Sequence, residues 1–373
     1  MPYNIAMLHL VHVLTSLEYG GVESFAIRLL TRLPADQFRS CIVMTTPEQG
    51  QRYDAFVSQV QLPVIQCHYV HKQRMQFTRD LSKQFKSLKP DVVMSYAFGN
   101  HAMVAVASWL AGVPRNYVRV AGDPNRQYTK SWRLTQMARP FCTGEIAVSQ
   151  CTAQALHERM SLPLERIHTI VNGCEVEDIF ARAETERRKR TPSERLRLLM
   201  VSRMDDAKDH TTLLQAMARL QAQGMQLDLT LAGEGPERSN YQNIVQQLGI
   251  AEHVHFLGNC TTVDEEMGKA DVLVHSTRTE GMPNVLLEAM AARLPIIASD
   301  IPPCREVLDQ GRAGLLFERE NVESLVAAIQ QLAQDVALRQ QYVTAGAERV
   351  MSQYHVDRMA RQYQHLFQHG TVS

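Results

Sequence analysis

What this chain has little of narrows its function before any motif is read. It has no net charge, since 39 Lys and Arg balance 39 Asp and Glu. No global basic field is therefore present to hold nucleic acid, although a local basic patch stays open, and no nucleic-acid partner is expected. Its seven cysteines are scattered, odd in number and contain no Cys-x-x-Cys pair. That argues against a disulfide framework or a zinc site and suits a reducing compartment. Long apolar runs are missing too: Val92 to Val113 is broken by Ser95, Gly99, Asn100 and His101, too polar for a membrane-spanning helix. The apolar stretch Ile5 to Leu14 has no basic residue ahead of it and contains His9 and His12, so it reads as a buried strand rather than a signal peptide. A cytoplasmic protein is expected, with peripheral contact at the inner face of a membrane left open. No Asp-x-Asp motif stands near the segments singled out below, so neither a metal nor another cofactor is expected.

What is present is a long alternation of short apolar runs with amphipathic helical patterns. The expected strands in the first half are Ile5–Leu14, Cys41–Thr45, Val64–Val70, Asp91–Ala97, Tyr117–Ala121, Glu145–Ser149 and Ile167–Val171. In the second half they are Leu196–Ser202, Leu227–Ala232, Val254–Leu257, Val272–His275, Pro295–Ala298 and Leu315–Phe317. Most are continuously apolar rather than alternating, as a parallel sheet covered by helices on both faces requires. The pattern predicts α/β architecture: two doubly wound, Rossmann-like domains, over residues 1–180 and 196–350. Between them Ala181 to Arg195 is a polar run without a bulky apolar residue, expected to be a linker or a solvated helix. Its basic cluster suits solvent or an anionic surface.

Ligands of open α/β sheets sit at the carboxyl ends of the strands, so the segments that follow strands carry the functional reading. The sharpest is Thr279-Glu280-Gly281-Met282-Pro283-Asn284-Val285-Leu286-Leu287-Glu288. Pro283 suits the first turn of a helix, whose amino end presents backbone N–H groups to a phosphate. Asn284 and Glu288 are four apart and share a helix face, where a carboxylate can accept both hydroxyls of a ribose. Glu280, on the loop ahead, can reach sugar hydroxyls. The plainer alternative is a helix cap and a surface glutamate. In Ser202-Arg203-Met204-Asp205-Asp206-Ala207-Lys208, Arg203 and Lys208 flank a loop and can converge on a diphosphate, whose charge grows as a glycosidic bond breaks; an ordinary charged loop is the alternative. Gly233-Glu234-Gly235-Pro236 begins a dinucleotide-like glycine pattern that Arg238 interrupts, and a tight turn explains it as well as ligand contact does. Gly20-Gly21 lets the backbone approach a ligand or simply turn. Asp123, after the strand ending at Ala121, is expected to accept a hydroxyl hydrogen bond in an acceptor pocket or to begin a turn at Pro124.

Together these segments resemble glycosyltransferase family 4, the retaining GT-B enzymes, over nearly the whole chain. The resemblance rests on Glu280 and Glu288 within Glu-Gly-Met-Pro-Asn-Val-Leu-Leu-Glu-Ala-Met-Ala. It is supported by Ser202-Arg203 with Lys208, Gly233-Glu234-Gly235-Pro236, Asn172-Gly173, Ala147-Val148-Ser149, and Gly20-Gly21 with Glu23. It implies a nucleoside-diphosphate sugar, a UDP-sugar above all, as donor, and a glycan, lipid-linked or small-molecule acceptor. By the same resemblance Arg203 and Lys208 hold the diphosphate, Glu288 the ribose and Glu280 the donor sugar. Gly281 to Asn284 and Gly233 contribute donor contacts, and Gly20 and Gly21 close over the donor. Residues 351–373 form a helix that returns to the N-terminal domain. Two departures stand out. Arg293 occupies a helix end where the family usually has Gly, and strain follows there if the backbone is left-handed. Ala121 occupies a position where the family often has His.

Overall fold

The computed structural model describes residues 7–15, 21–46, 51–70, 73–96, 100–122 and 129–372. It divides into two compact units, Met1–Gly173 with Val356–Ser373, and Cys174–His355. The division falls at Gly173, ahead of the boundary expected at 180, and of the two readings of Ala181 to Arg195, linker or solvated helix, the helix holds as far as Arg188. Val176–Arg188 is a helix that buries Val176, Ile179 and Ala183 at three- and four-residue spacing. Arg182 pairs with Asp264 and Arg190 with Asp271, which ties these two basic residues to the rest of the second unit, while Arg188 and Lys189 are exposed and pair with glutamates of the same helix.

The first unit is a seven-stranded sheet with strands β1 (Leu8–Leu14), β2 (Phe38–Met44), β3 (Val64–Gln66), β4 (Val92–Ser95), β5 (Arg115–Val120), β6 (Gly144–Ala147) and β7 (Ile167–Thr169). The order is β3-β2-β1-β4-β5-β6-β7, and every pairing is parallel. Along β1, Leu10 and Leu14 enter one core with Phe25, Tyr363 and Phe367, while Val11 and Val13 enter another with Phe77, Leu81 and Phe85. Covering both faces is why these strands lack polar alternation; each fully buried Leu or Phe contributes about 1.5–3 kcal/mol of transfer free energy.

Helix Val356–His369 belongs to this first unit. It buries Val356, Met359, Ala360, Tyr363, Leu366 and Phe367 along one face. Its start is fitted against Gly173, where an added Cβ would lie 2.6 Å from Val356 Cα. The Gly173 N–H points at Met359 Sδ (3.1 Å), and its carbonyl accepts from Arg28 Nη1 (3.1 Å). No described helix is long and apolar enough to cross a membrane.

The second unit repeats the design with six parallel strands: β8 (Leu196–Val201), β9 (Leu227–Ala232), β10 (Val254–Gly258), β11 (Val272–His275), β12 (Ile296–Ser299) and β13 (Leu315–Phe317). Their order is β10-β9-β8-β11-β12-β13. The chain leaves β8 towards β9 and β10 on one side and resumes at β11 on the other. The β8/β11 boundary is thus the topological switch point, where two consecutive crossovers diverge and leave a crevice at the strand ends. Asp271 fixes that neighbouring register: its carboxylate accepts from the Arg197 N–H (2.9 Å) and its own N–H donates to the Arg197 carbonyl (2.8 Å).

Candidate donor site

The two segments singled out most sharply leave these two adjacent strands. The loop after β8 carries Arg203 and Lys208; the loop after β11 carries Glu280. Backbone bonds stitch them together, from Asp209 N to Ser276 O (3.2 Å) and from Arg278 N to Ala207 O (2.9 Å). Asp209, 1% exposed, caps helix His210–Ala222 by accepting from Thr212 N and also accepts from Arg278 Nη2 at 3.3 Å. Arg278 Nη1 adds a bond to the Asp206 carbonyl (2.6 Å) and Nε one to Glu320 (2.7 Å), clamping the glutamate loop onto the lysine loop.

At the centre, Glu280 Oε1 pairs with Lys208 Nζ and accepts from His275 Nε2 at 2.9 Å. Burial alone would push the Glu280 carboxyl up; the Lys208 ammonium and then His275 outweigh it and hold it down to about 2. The group is therefore ionised throughout the neutral range and can only accept hydrogen bonds. Its natural ligand partners are hydroxyls, and Lys208 keeps further N–H donors for an anion.

The β8 loop is braced from beneath. His210 Nδ1 bonds the Lys208 carbonyl (3.0 Å), and its ring stacks on Tyr241 at 4.5 Å between centroids. Gly233 (φ +145°) and Gly235 run so close under the Ser202 and Met204 carbonyls that a side chain at either would collide with backbone. Their glycine character thus supports the loop carrying Arg203 and Lys208.

Arg203 is not gathered with the other two. Its side chain is 70% exposed and bonds Asp205 through Nε at 2.7 Å, within its own loop. Helix Asn284–Ala291 begins one residue later than expected: Pro283 is the residue before it rather than part of its first turn, and the Leu286 N–H donates to the Pro283 carbonyl (3.0 Å). Gly281, Met282 and Pro283 are buried in the approach to that helix, and Asn284 and Glu288 lie half-buried one turn apart. Gly21 opens helix Gly21–Leu30 in the first unit. Gly20 and Asp123 lie outside the described residues; Ala121 and Gly122 are half-buried just after β5.

Arg293 is left-handed (φ +54°). The Arg293 N–H bonds the Met290 carbonyl and the Leu294 N–H the Ala289 carbonyl, the paired bonds that end a helix on a residue usually glycine. The guanidinium sits 4.3 Å from the Phe180 ring centroid, a contact glycine does not make.

Sequence reasoning missed His275, Asp209 and Arg278. Asp209 had a signal in the cap pattern before a helix. His275 had none beyond ending a strand, because its role depends on the loop folding back.

Comparison with known proteins identifies the family and the fold. The model for glycosyl transferases group 1 matches residues 181–349, and that for glycosyltransferase family 4 matches residues 19–178. The chain is 27% identical to EpsF of Bacillus subtilis over 313 residues, 80% of each chain. It is 28% identical to N-acetyl-alpha-D-glucosaminyl L-malate synthase of Bacillus anthracis over 224 residues, 59% of this chain and 58% of that one. Among solved structures, Anabaena HepE in complex with UDP and glucose superposes with a TM-score of 0.84 at 16% identity, covering 97% of this chain and all of that one. With one model on each half and the same two-sheet architecture throughout, the chain belongs to the GT-B glycosyltransferases of group 1 and family 4.

Proposed function

We propose that this glycosyltransferase moves a hexosyl or N-acetylhexosaminyl group from a UDP-sugar to a glycan, lipid-linked or small-molecule acceptor. Transfer retains the anomeric configuration, needs no metal, and serves cell-surface polysaccharide or glycoconjugate synthesis in the cytoplasm. The observation that carries this reading is the Lys208–Glu280–His275 cluster at the β8/β11 switch point. It sets an ammonium for the diphosphate beside an ionised carboxylate for sugar hydroxyls. The UDP and glucose bound to HepE, and the glucosaminyl chemistry in the name of the Bacillus anthracis relative, support the donor class.

In this mechanism Lys208 stabilises charge that grows on the departing diphosphate, so it acts more strongly in the transition state than on bound donor. Arg203 joins it by exchanging Asp205 for the diphosphate. The departing phosphate oxygen takes the acceptor hydroxyl's proton as the new glycosidic bond forms on the face where the old one breaks. No protein base is then required, which accommodates Ala121. Glu288 accepts the ribose hydroxyls. Asp123 accepts from an acceptor hydroxyl.

A second reading, a sugar-nucleotide-binding partner without transfer, is favoured by Ala121 alone. Thermal shift with a panel of nucleotide sugars, followed by NMR of the product anomer, decides between them. A ligand that binds only the folded state raises apparent stability. Binding without donor cleavage or transfer favours the second reading; an inverted anomer overturns the retaining one.

A further inference from the structure

His275 is more than a strand residue. It is 2% exposed, its Nε2 lies 2.9 Å from Glu280 Oε1, and its Nδ1 is buried without a partner among the described residues. A buried polar atom left unpaired costs stability, and an apolar side chain of similar size would fill this place without that cost. Packing therefore does not ask for histidine here. The bond to Glu280 does.

All the bonds that Glu280 makes with described residues converge on one oxygen. Oε1 receives Lys208 Nζ and His275 Nε2, and Thr277 Oγ1 lies 3.4 Å away. Lys208 reaches it on a four-carbon stem with many rotamers, whereas the imidazole sits on two torsions at the rigid end of β11. The ring must carry its proton on Nε2, because the alternative tautomer would aim a lone pair at a carboxylate.

We propose that His275 is a positioning residue: it pins Oε1 through its Nε2–H and so presents Oε2 as the one acceptor left for a hydroxyl of the donor sugar. This rests on the donor reading above. It adds a consequence for substrate class, that the sugar must offer a hydroxyl at the point facing Oε2, and a deoxy sugar lacking it is a poor donor.

The test uses the full chain with UDP and UDP-glucose as probes. Replacing His275 with Leu removes the donor, Gln places an amide nitrogen close to the position of Nε2, and Asn places one near Nδ1. The expected result for His275→Leu is a kcat for UDP release from UDP-glucose lower by roughly ten- to a hundredfold. UDP affinity by calorimetry should stay within about threefold, and the melting temperature should be unchanged or raised. His275→Gln should recover most of the rate and His275→Asn should not. In a Glu280→Gln background His275→Leu should add little. In the free wild-type protein, nitrogen-15 NMR of the imidazole should show the Nε2–H tautomer.

An Nδ1–H tautomer overturns the proposal, as does a Leu variant with wild-type kcat, rescue by Asn as good as by Gln, or UDP affinity falling in step with rate. A wild-type chain that binds no UDP and releases none from UDP-glucose instead defeats the donor reading, and the tautomer then reports the positioning by itself.

Discussion

Glutamine at position 280 keeps the shape of the side chain and removes its charge. The carboxyl is held at about 2 against an ordinary value of 4.5. That difference corresponds to about 3 kcal/mol favouring the ionised form in the folded chain. Both partners are shielded, with side-chain exposures of 18% for Lys208 and 11% for Glu280, so screening by water removes little of it. Breaking a shielded pair from one side costs about 3–5 kcal/mol, a compatible figure. The sign follows from a depressed folded-state value: the stabilisation is complete above the unfolded value near 4.5 and is lost as pH falls through about 2. Roughly 2 of the 3 kcal/mol should be gone by pH 3. A protonated Glu280 and a glutamine present Lys208 with the same uncharged group, so wild type and Glu280→Gln should differ clearly at pH 7 and approach one another towards pH 3. Urea unfolding of both full-length proteins at intervals from pH 7 to pH 3 measures the gap, and carboxylates common to both cancel. Curves that fall in parallel over that range would refute the argument.

At Arg293, Gly should hold wild-type stability, because relief of about 1 kcal/mol of left-handed strain offsets the lost stack on Phe180; Ala keeps the strain, loses the stack and should fall below both by about 1 kcal/mol in urea. Glu288→Ala should weaken UDP binding by about ten- to a hundredfold in calorimetry with the fold intact, and unchanged affinity would end the ribose assignment. Transfer should persist in excess EDTA, and complete loss restored by manganese would place the donor chemistry elsewhere. Gly173→Ala forces the backbone away from Val356 and should cost about 1–3 kcal/mol, read as a lower unfolding midpoint of the full chain.

The sheets were legible because covering both faces of a parallel strand leaves a run that little else produces. Val272–His275 and Leu315–Phe317 form with the bounds the pattern gives. Edges drifted where chemistry intervened: Pro295 has no N–H for a ladder and stays outside β12, and β3 stops at Gln66, well short of Val70. For Ala181 to Arg195 a linker and a solvated helix both stood open, and the start of helix Val176–Arg188 was not legible because two of its three buried positions precede that polar run. Lys208 and Glu280 were legible as candidates but not as partners, since they lie 72 residues apart and meet only through the strand order. Arg203 shows the reverse: its partner is two residues away, and an aspartate that near can occupy the guanidinium a diphosphate would need. The left-handed backbone at Arg293 was foreseeable from one side chain standing where glycine is usual.

The placement of helix Val356–His369 also has a consequence for how the protein is made. The first unit cannot finish its core until that helix exists, because Leu10, Phe25 and Phe38 share one apolar cluster with Tyr363 and Phe367. Between the two stretches of that unit lie the residues Cys174–His355, about 180 of them. At a synthesis rate of about 5–20 residues per second, the first sheet waits roughly 10–35 s on the ribosome with that face uncovered. The second unit is continuous in sequence and completes first. A chain cut short before Val356 would carry one finished half and one with an open apolar face, a surface that holdase chaperones and proteases recognise. Vectorial synthesis thus makes the first unit the later one to complete its core.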